Sequence, residues 1–256
     1  MPEGNAGPQT GTTERREAGG LDARPTRRAT AAFLVIGNEI LSGKVADTNT
    51  GLLARLLRKK GLELRRVVTI PDEPEVIAAE TAQLAASHDL LFTSGGVGAT
   101  HDDVTMEGIA RAFGTGVIHH PRFLESLRQR GLETSHRDLA RVPEGAELRG
   151  GQRGAWPVVV MRNVWILPGL PPVFEHKLEI LEECLPEGPR YFADEELVPR
   201  PEEELIPLLD RIVTAYPEVQ IGSYPVAAGT RITLDGDDGQ AVANAAAVLR
   251  KGLAEL

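Results

Sequence analysis

The run Ser94-Gly95-Gly96-Val97-Gly98-Ala99-Thr100-His101-Asp102-Asp103-Val104-Thr105 holds the residues best suited to chemistry. Gly95, Gly96 and Gly98 permit a sharp turn and let a ligand approach the backbone amides closely. N–H groups in such a turn, and at the start of the helix that follows, suit an anionic oxygen. Asp102 and Asp103 would repel a bare phosphate, so their presence points to a divalent cation such as Mg²⁺ between carboxylate and phosphate. Neither common nucleotide loop is matched. No Lys follows Gly98, as a P-loop requires, and His101 stands where a dinucleotide fingerprint has its third glycine. The plainer role for the segment is a tight turn in which Asp103 or Thr105 caps a helix, but a cap needs one Asp, not two plus three glycines.

These residues need elements to position them. The apolar run ending at Ser94 reads as a buried strand, and residues 106–113 as the helix after the loop. Residues 31–36 read as a second buried strand, ending at Gly37-Asn38-Glu39. Leu52, Leu53, Leu56 and Leu57 make one face of a helix over 48–60 that Gly61 stops. A strand over 64–70, a turn at Pro71-Asp72-Glu73-Pro74 and a helix over 75–87 follow. Alternating helices and continuously apolar strands predict a parallel sheet covered on both faces. Ligands of such sheets sit beyond the C-terminal strand ends. The loops at Gly37–Glu39, Pro71–Glu73 and 94–103 should therefore converge.

Downstream, residues 121–131 read as a helix, 142–145 as a turn and 149–154 as a glycine-rich stretch. A hairpin is expected from 158–161 and 164–167, turning at Arg162-Asn163. It leads to Pro168-Gly169-Leu170-Pro171-Pro172, a further candidate wall of the pocket, and a helix over 173–185. Pro186-Glu187-Gly188-Pro189 marks a boundary. Beyond it, an extended segment (191–198), a helix (202–215), two strands (219–225 and 230–234) and an amphipathic helix (239–253) predict a small α+β unit. The expected organisation is a disordered tail over 1–29, a main domain over 30–187 and the small unit over 188–256.

Composition narrows the functional classes. The 256 residues carry a formal net charge of −9, which argues against nucleic acid as a general partner. No segment approaches the ~20 apolar residues of a membrane span, and the first 30 residues lack a signal-peptide core. A cytoplasmic location is expected. The single cysteine, Cys184, makes no intrachain disulfide, and its expected role is that of a small buried apolar residue. His101, His119 and His120 have no zinc spacing and read as surface or loop residues. His88 should end a helix. Trp156 and Trp165 read as packing residues.

Several motifs in order resemble the MoaB/Mog-like molybdopterin-binding domain family. The likeness is to its branch at the N-terminus of competence/damage-inducible protein A (CinA) and in eukaryotic FAD synthases. They are Ile36-Gly37-Asn38-Glu39-Ile40-Leu41-Ser42-Gly43 with Asp47-Thr48-Asn49-Thr50, Pro71-Asp72-Glu73, the glycine loop, Val142-Pro143-Glu144-Gly145-Ala146 and Pro168-Gly169-Leu170-Pro171. Ile221-Gly222-Ser223-Tyr224-Pro225 matches the trailing segment. The resemblance implies a three-layer α/β/α fold on a mostly parallel sheet, followed by a small α+β, KH-like unit. It implies a phosphorylated pterin (molybdopterin) or pyrophosphate nucleotide as small-molecule ligand, Mg²⁺, and a homo-oligomer. Asp103 and Asp72 would be the catalytic acids, and Asp102 with Asp103 the metal ligands. Gly37, Glu39, Asp47, Asn49, Ser94, Gly95, Gly96, Gly98, Thr100, Thr105, Pro168, Gly169 and Pro171 would line the ligand. The implied chemistry is hydrolysis of an ADP-ribose-like pyrophosphate, with adenylylation of molybdopterin or binding without turnover as alternatives. Two positions depart from the family: Ala99 replaces a usual Pro, and Asn38 a usual Asp.

Overall fold

The computed structural model describes residues 27–100, 102–151 and 156–256. The chain opens with β1 (Thr30–Ile36), a single helical turn α1 (Asn38–Leu41) and α2 (Asn49–Lys59). Then come β2 (Glu63–Ile70), α3 (Pro74–Ser87), β3 (Leu90–Ser94) and α4 (Thr105–Ala112). After β4 (Val117–His119), α5 (Pro121–Gln129), β5 (Arg141–Pro143) and β6 (Glu147–Arg149), the hairpin β7 (Val158–Met161) and β8 (Val164–Leu167) leads to α6 (Pro171–Cys184). The last elements are β9 (Phe192–Val198), α7 (Glu202–Ala215), β10 (Gln220–Val226), β11 (Gly229–Gly236) and α8 (Gly239–Ala254).

The main sheet has the order β2-β1-β3-β8-β7-β6. β1 is parallel to β2 and β3, and β3 to β8, while β7 runs against β8 and β6. The two faces of β1 supply two cores. Ala32, Leu34 and Ile36 pack with Ile77, Leu84 and Ile109 on one side. Ala31, Phe33 and Val35 pack with Leu53, Leu57 and Phe174 on the other. Strands buried on both faces read as unbroken apolar runs, which explains the sequence of β1. The result is the three-layer α/β architecture expected.

The second sheet, β10-β11-β9, is antiparallel and covered on one face by α7 and α8. Leu205, Leu208, Ile212, Ile232, Leu234, Ala245 and Leu249 form its core. Asp238 caps α8, accepting from the Gln240 N–H at 2.8 Å and the Ala241 N–H at 3.3 Å. Two arginines clamp this unit to the main domain. Arg28 pairs with Asp237 and donates to the Arg190 carbonyl, Arg58 pairs with Asp235, and their guanidinium groups lie over the Tyr191 ring at 4.8 and 4.5 Å. The tail read over 1–29 thus includes contacts at its end. Arg27 pairs with Asp89 and Arg28 holds the small unit, while residues 1–26 lie outside the described residues.

Two expectations about single residues fail. Cys184 is exposed, not buried. It is the last residue of α6, where the adjacent Leu181 and Leu185 take the inward positions. His119 is on strand β4, half-buried, with Nε2 3.6 Å from Asp138; His101 lies outside the described residues. Among the described residues no helix is long and apolar enough to cross a membrane. Trp165 is buried against Phe92, and Trp156 packs against Phe123, as packing residues should.

Candidate functional site

The strand order 2-1-3 places a crevice at the C-terminal ends of β1 and β3, where the winding of the sheet reverses. The backbones there are in contact. Gly95 has φ +108°, and a Cβ on it would run into the Ile36 carbonyl. A Cβ on Gly169 would lie 3.1 Å from the Gly95 Cα. The ends of β1 and β3 and the turn after β8 therefore stack glycine on backbone, which no larger residue permits.

Behind this stack is a buried latch. Asn49, the first residue of α2, donates through Nδ2 to Ser94 Oγ at 2.9 Å and to the Gly169 carbonyl at 2.8 Å. Ser94 Oγ donates to the Pro168 carbonyl at 3.2 Å. Thr105 is fully buried, and its hydroxyl donates to the Gly95 carbonyl at 2.9 Å. Asn49, Ser94 and Thr105, expected to line a ligand, join β3, α2, α4 and the Pro168 turn through these bonds, and the Asn49 Oδ1 stays buried without a partner among the described residues.

Asp103 does not cap α4. The N-cap is Val104. The Asp103 carboxylate accepts from the Gly98 N–H at 2.7 Å, the Thr100 N–H at 2.8 Å and the Thr100 hydroxyl. The loop amides expected to receive a phosphate are thus held by the loop's own carboxylate. The attraction is the one anticipated, between a turn of N–H groups and an anionic oxygen, but the anion is internal.

The other predicted carboxylates surround the crevice. Asp72 is half-buried; its Oδ2 accepts from the Asn38 N–H at 2.8 Å, and its Oδ1 lies 3.6 Å from where a Cβ on Gly96 would be. The Glu39 carboxylate folds over Gly37, within 2.9 Å of the place a Cβ would take there. Asp47 accepts from the Thr50 N–H at 3.1 Å and from its hydroxyl, and so shapes its own turn. Asp102 is exposed, as is Pro171, the first residue of α6. The structure brings Asp72 to both Asn38 and the glycine loop, and folds Glu39 over Gly37.

Two features were not read from the sequence. Glu107, Asp138 and Arg141 line a recess of about 40 Å³ under the glycine loop, with Arg141 paired to Glu107 at 2.5 Å. A larger, apolar cavity of about 180 Å³ lies between α4, α5, α6 and the hairpin, with Lys177 in its wall. Lys177 was findable, because Phe174, Lys177 and Leu181 share one face of α6, so a cation falls on a buried apolar stripe. Among the described residues no three His, Cys, Asp or Glu side chains gather into a ready-made metal site.

The sequence of residues 32–187 matches the family model described as "Probable molybdopterin binding domain". The chain belongs to the molybdopterin-binding domain family. Residues 191–256 match the model of the FAD synthase middle domain. A protein of Archaeoglobus fulgidus is 35% identical over 214 residues, covering 83% of this chain and 93% of its own length. A "Probable FAD synthase" of Caenorhabditis briggsae is 32% identical over 232 residues, 78% of this chain but 44% of the synthase. The crystal structure of the CinA protein from Thermoplasma acidophilum superposes with a TM-score of 0.55 at 28% identity. It covers 61% of this chain and 99% of that one. This family member is thus CinA-like in its main domain and FAD-synthase-like in its tail domain.

Proposed function

We propose that this molybdopterin-binding domain protein holds a pyrophosphate-bearing ligand, a phosphorylated pterin or a nucleotide, at the β1/β3 crevice and cleaves it at phosphorus with Mg²⁺. The observation that carries the reading is the Asp103 staple. The Gly98 and Thr100 amides already hold two carboxylate oxygens, so the loop is shaped for a tetrahedral or trigonal oxyanion. A phosphate arriving there takes over those amides and releases Asp103 toward the reacting group.

The residues suit a magnesium ion. Mg²⁺ is usually held by one or two carboxylates plus substrate phosphates rather than by an all-protein cage, which accords with carboxylates that ring the crevice without clustering. Asp72, with the Asp102–Asp103 pair, would hold it. When bound, the metal offsets phosphate charge and polarises a P–O bond. Gly96 and Gly98 let the phosphate approach the backbone, and the Gly98 and Thr100 amides hold its non-bridging oxygens. Asp103, once displaced, can take the proton of an attacking water.

The test is nucleoside monophosphate release from ADP-ribose and from its hypoxanthine analogue, with and without Mg²⁺, in the wild type, Asp72→Asn and Asp103→Asn. Metal-dependent release in the wild type that drops by about a hundredfold in either variant supports cleavage at this site. One observation favours a second reading, a binding module without turnover: the Asp103 carboxylate finds its partners, the Gly98 and Thr100 amides and the Thr100 hydroxyl, inside its own loop. Calorimetric binding of either compound with no monophosphate release in any metal would establish that reading instead.

A further inference from the structure

The cavity beside the glycine loop has an unusual wall. Its lining is apolar and aromatic, with Val97, Met106, Phe123, Trp156 and Ile166 among the contributors, and Lys177 enters from α6. Lys177 is 8% exposed. Its Nζ donates to the Trp156 carbonyl and, at 2.9 Å, to the Pro157 carbonyl. No carboxylate pairs with it among the described residues, and Arg130, stacked 4.6 Å over the Trp156 ring, adds a second positive charge nearby. Burial, and then Arg130, push its pKa down to about 8. An ammonium group has three donors and no acceptor. Two protons go to the backbone, which leaves one donor to be met.

The volume and position describe the occupant. A dry apolar cavity of roughly 150 Å³ admits a benzene-sized ring, so about 180 Å³ holds one flat ring or a compact fused pair. Val97 and Met106 line both this cavity and the recess under Gly96–Thr100. A ring placed here has its substituent chain at the glycine loop.

We propose that this cavity receives the ring of the ligand and that Lys177 selects a ring whose edge presents a carbonyl oxygen over one that presents an amino group. The placement of the rest of the ligand rests on the phosphate reading above; the ring preference does not. A carbonyl edge completes the ammonium's hydrogen bonds, whereas an amino edge sets donor against buried donor, and a buried unmet donor is costly.

The experiment is calorimetric titration of the full chain with inosine and adenosine, which differ at this ring edge and carry no phosphate. Inorganic pyrophosphate is titrated separately to read the glycine loop. The wild type is expected to bind inosine at least about tenfold more tightly than adenosine, the discrimination of a single well-placed hydrogen bond. Lys177→Met should bring that ratio close to one. If the Met variant does not fold, Lys177→Gln, which offers both a donor and an acceptor, should lower the ratio in its place. Equal binding, tighter adenosine binding, no nucleoside binding, or a ratio unchanged by the substitutions would each overturn the proposal. Inosine selectivity without pyrophosphate binding would uphold it and remove the phosphate from the glycine loop.

Discussion

The glycine loop and the Lys177 cavity are neighbours that handle charge in opposite ways. At the loop, a carboxylate near solvent finds two backbone N–H groups and a hydroxyl, and the arrangement is self-satisfied. In the cavity, a cation is buried among rings and aliphatic carbons with two carbonyls for company. The first costs little to build. The second costs stability, because removing an ammonium from water is expensive unless it is paired. A residue held at such a cost is a stronger pointer to ligand selection than the loop that first attracts attention.

The comparison breaks first at Gly95, the base of the glycine loop, which packs on the Ile36 and Gly169 backbones. Gly95→Ala places a Cβ against the Ile36 carbonyl at φ +108°, and a loss of about 3 kcal/mol or more in urea denaturation is expected. A loss under about 1 kcal/mol would show that the stack of backbones can slide apart.

Lys177 comes next. Its pKa is lowered to about 8 from 10.5, so the unfolded chain binds more protons than the folded one between those values. Wild-type stability should therefore rise as pH climbs from about 8 toward 10.5, by up to about 3 kcal/mol, relative to Lys177→Met. Parallel stability curves for the two proteins across that window would sink the idea of a costly buried cation.

Asp103→Asn is expected to cost less, about 1 kcal/mol, because the staple is only half-buried. Its clearer signature is local. Hydrogen exchange at the Gly98 and Thr100 amides should quicken about tenfold, with no change at Trp165 in β8.

Asp89, at the opposite end of β3, gives the smallest effect. Its carboxyl is held well below the usual carboxylate range, first by the Arg27 guanidinium and then by the Thr30 N–H and hydroxyl. That contribution is present above the ordinary value of 3.8 and fades as pH falls below it. With the carboxylate 36% exposed, Asp89→Asn should lose under about 1 kcal/mol at pH 7. Acid titration of the two proteins, followed by circular dichroism, should show their stabilities converging toward pH 2.

The elements that frame the site were legible because they obey local rules. The unbroken apolar run of β1, the leucine face of α2, the stop at Gly61, and proline at the first turn of α3, α5 and α6 each carry their signal within a few residues. The convergence of the loops at Gly37, Asp72 and Ser94 followed from the parallel sheet alone. The partners of the site residues were not legible. Asn49, Ser94 and Gly169 are 45 to 120 positions apart, and nothing near Asn49 tells that its amide will be spent on a latch. Cys184 was misplaced for a related reason: at a helix end, a shift of one residue exchanges inside for outside.

By itself the sequence determined the long strands and helices, though not the short α1, β4, β5 and β6, the turn chemistry at the glycines and the family to which the chain belongs, since these reside in residue types and short spacings. Only the tertiary structure decided that Asp103 closes its own loop, that Asp72 turns toward Gly96, and that Lys177 ends in an apolar cavity next to the glycines. Those outcomes depend on which donors and acceptors meet across the packed layers. Hydrogen bonding and desolvation act over a few ångströms in space, whatever the distance along the chain.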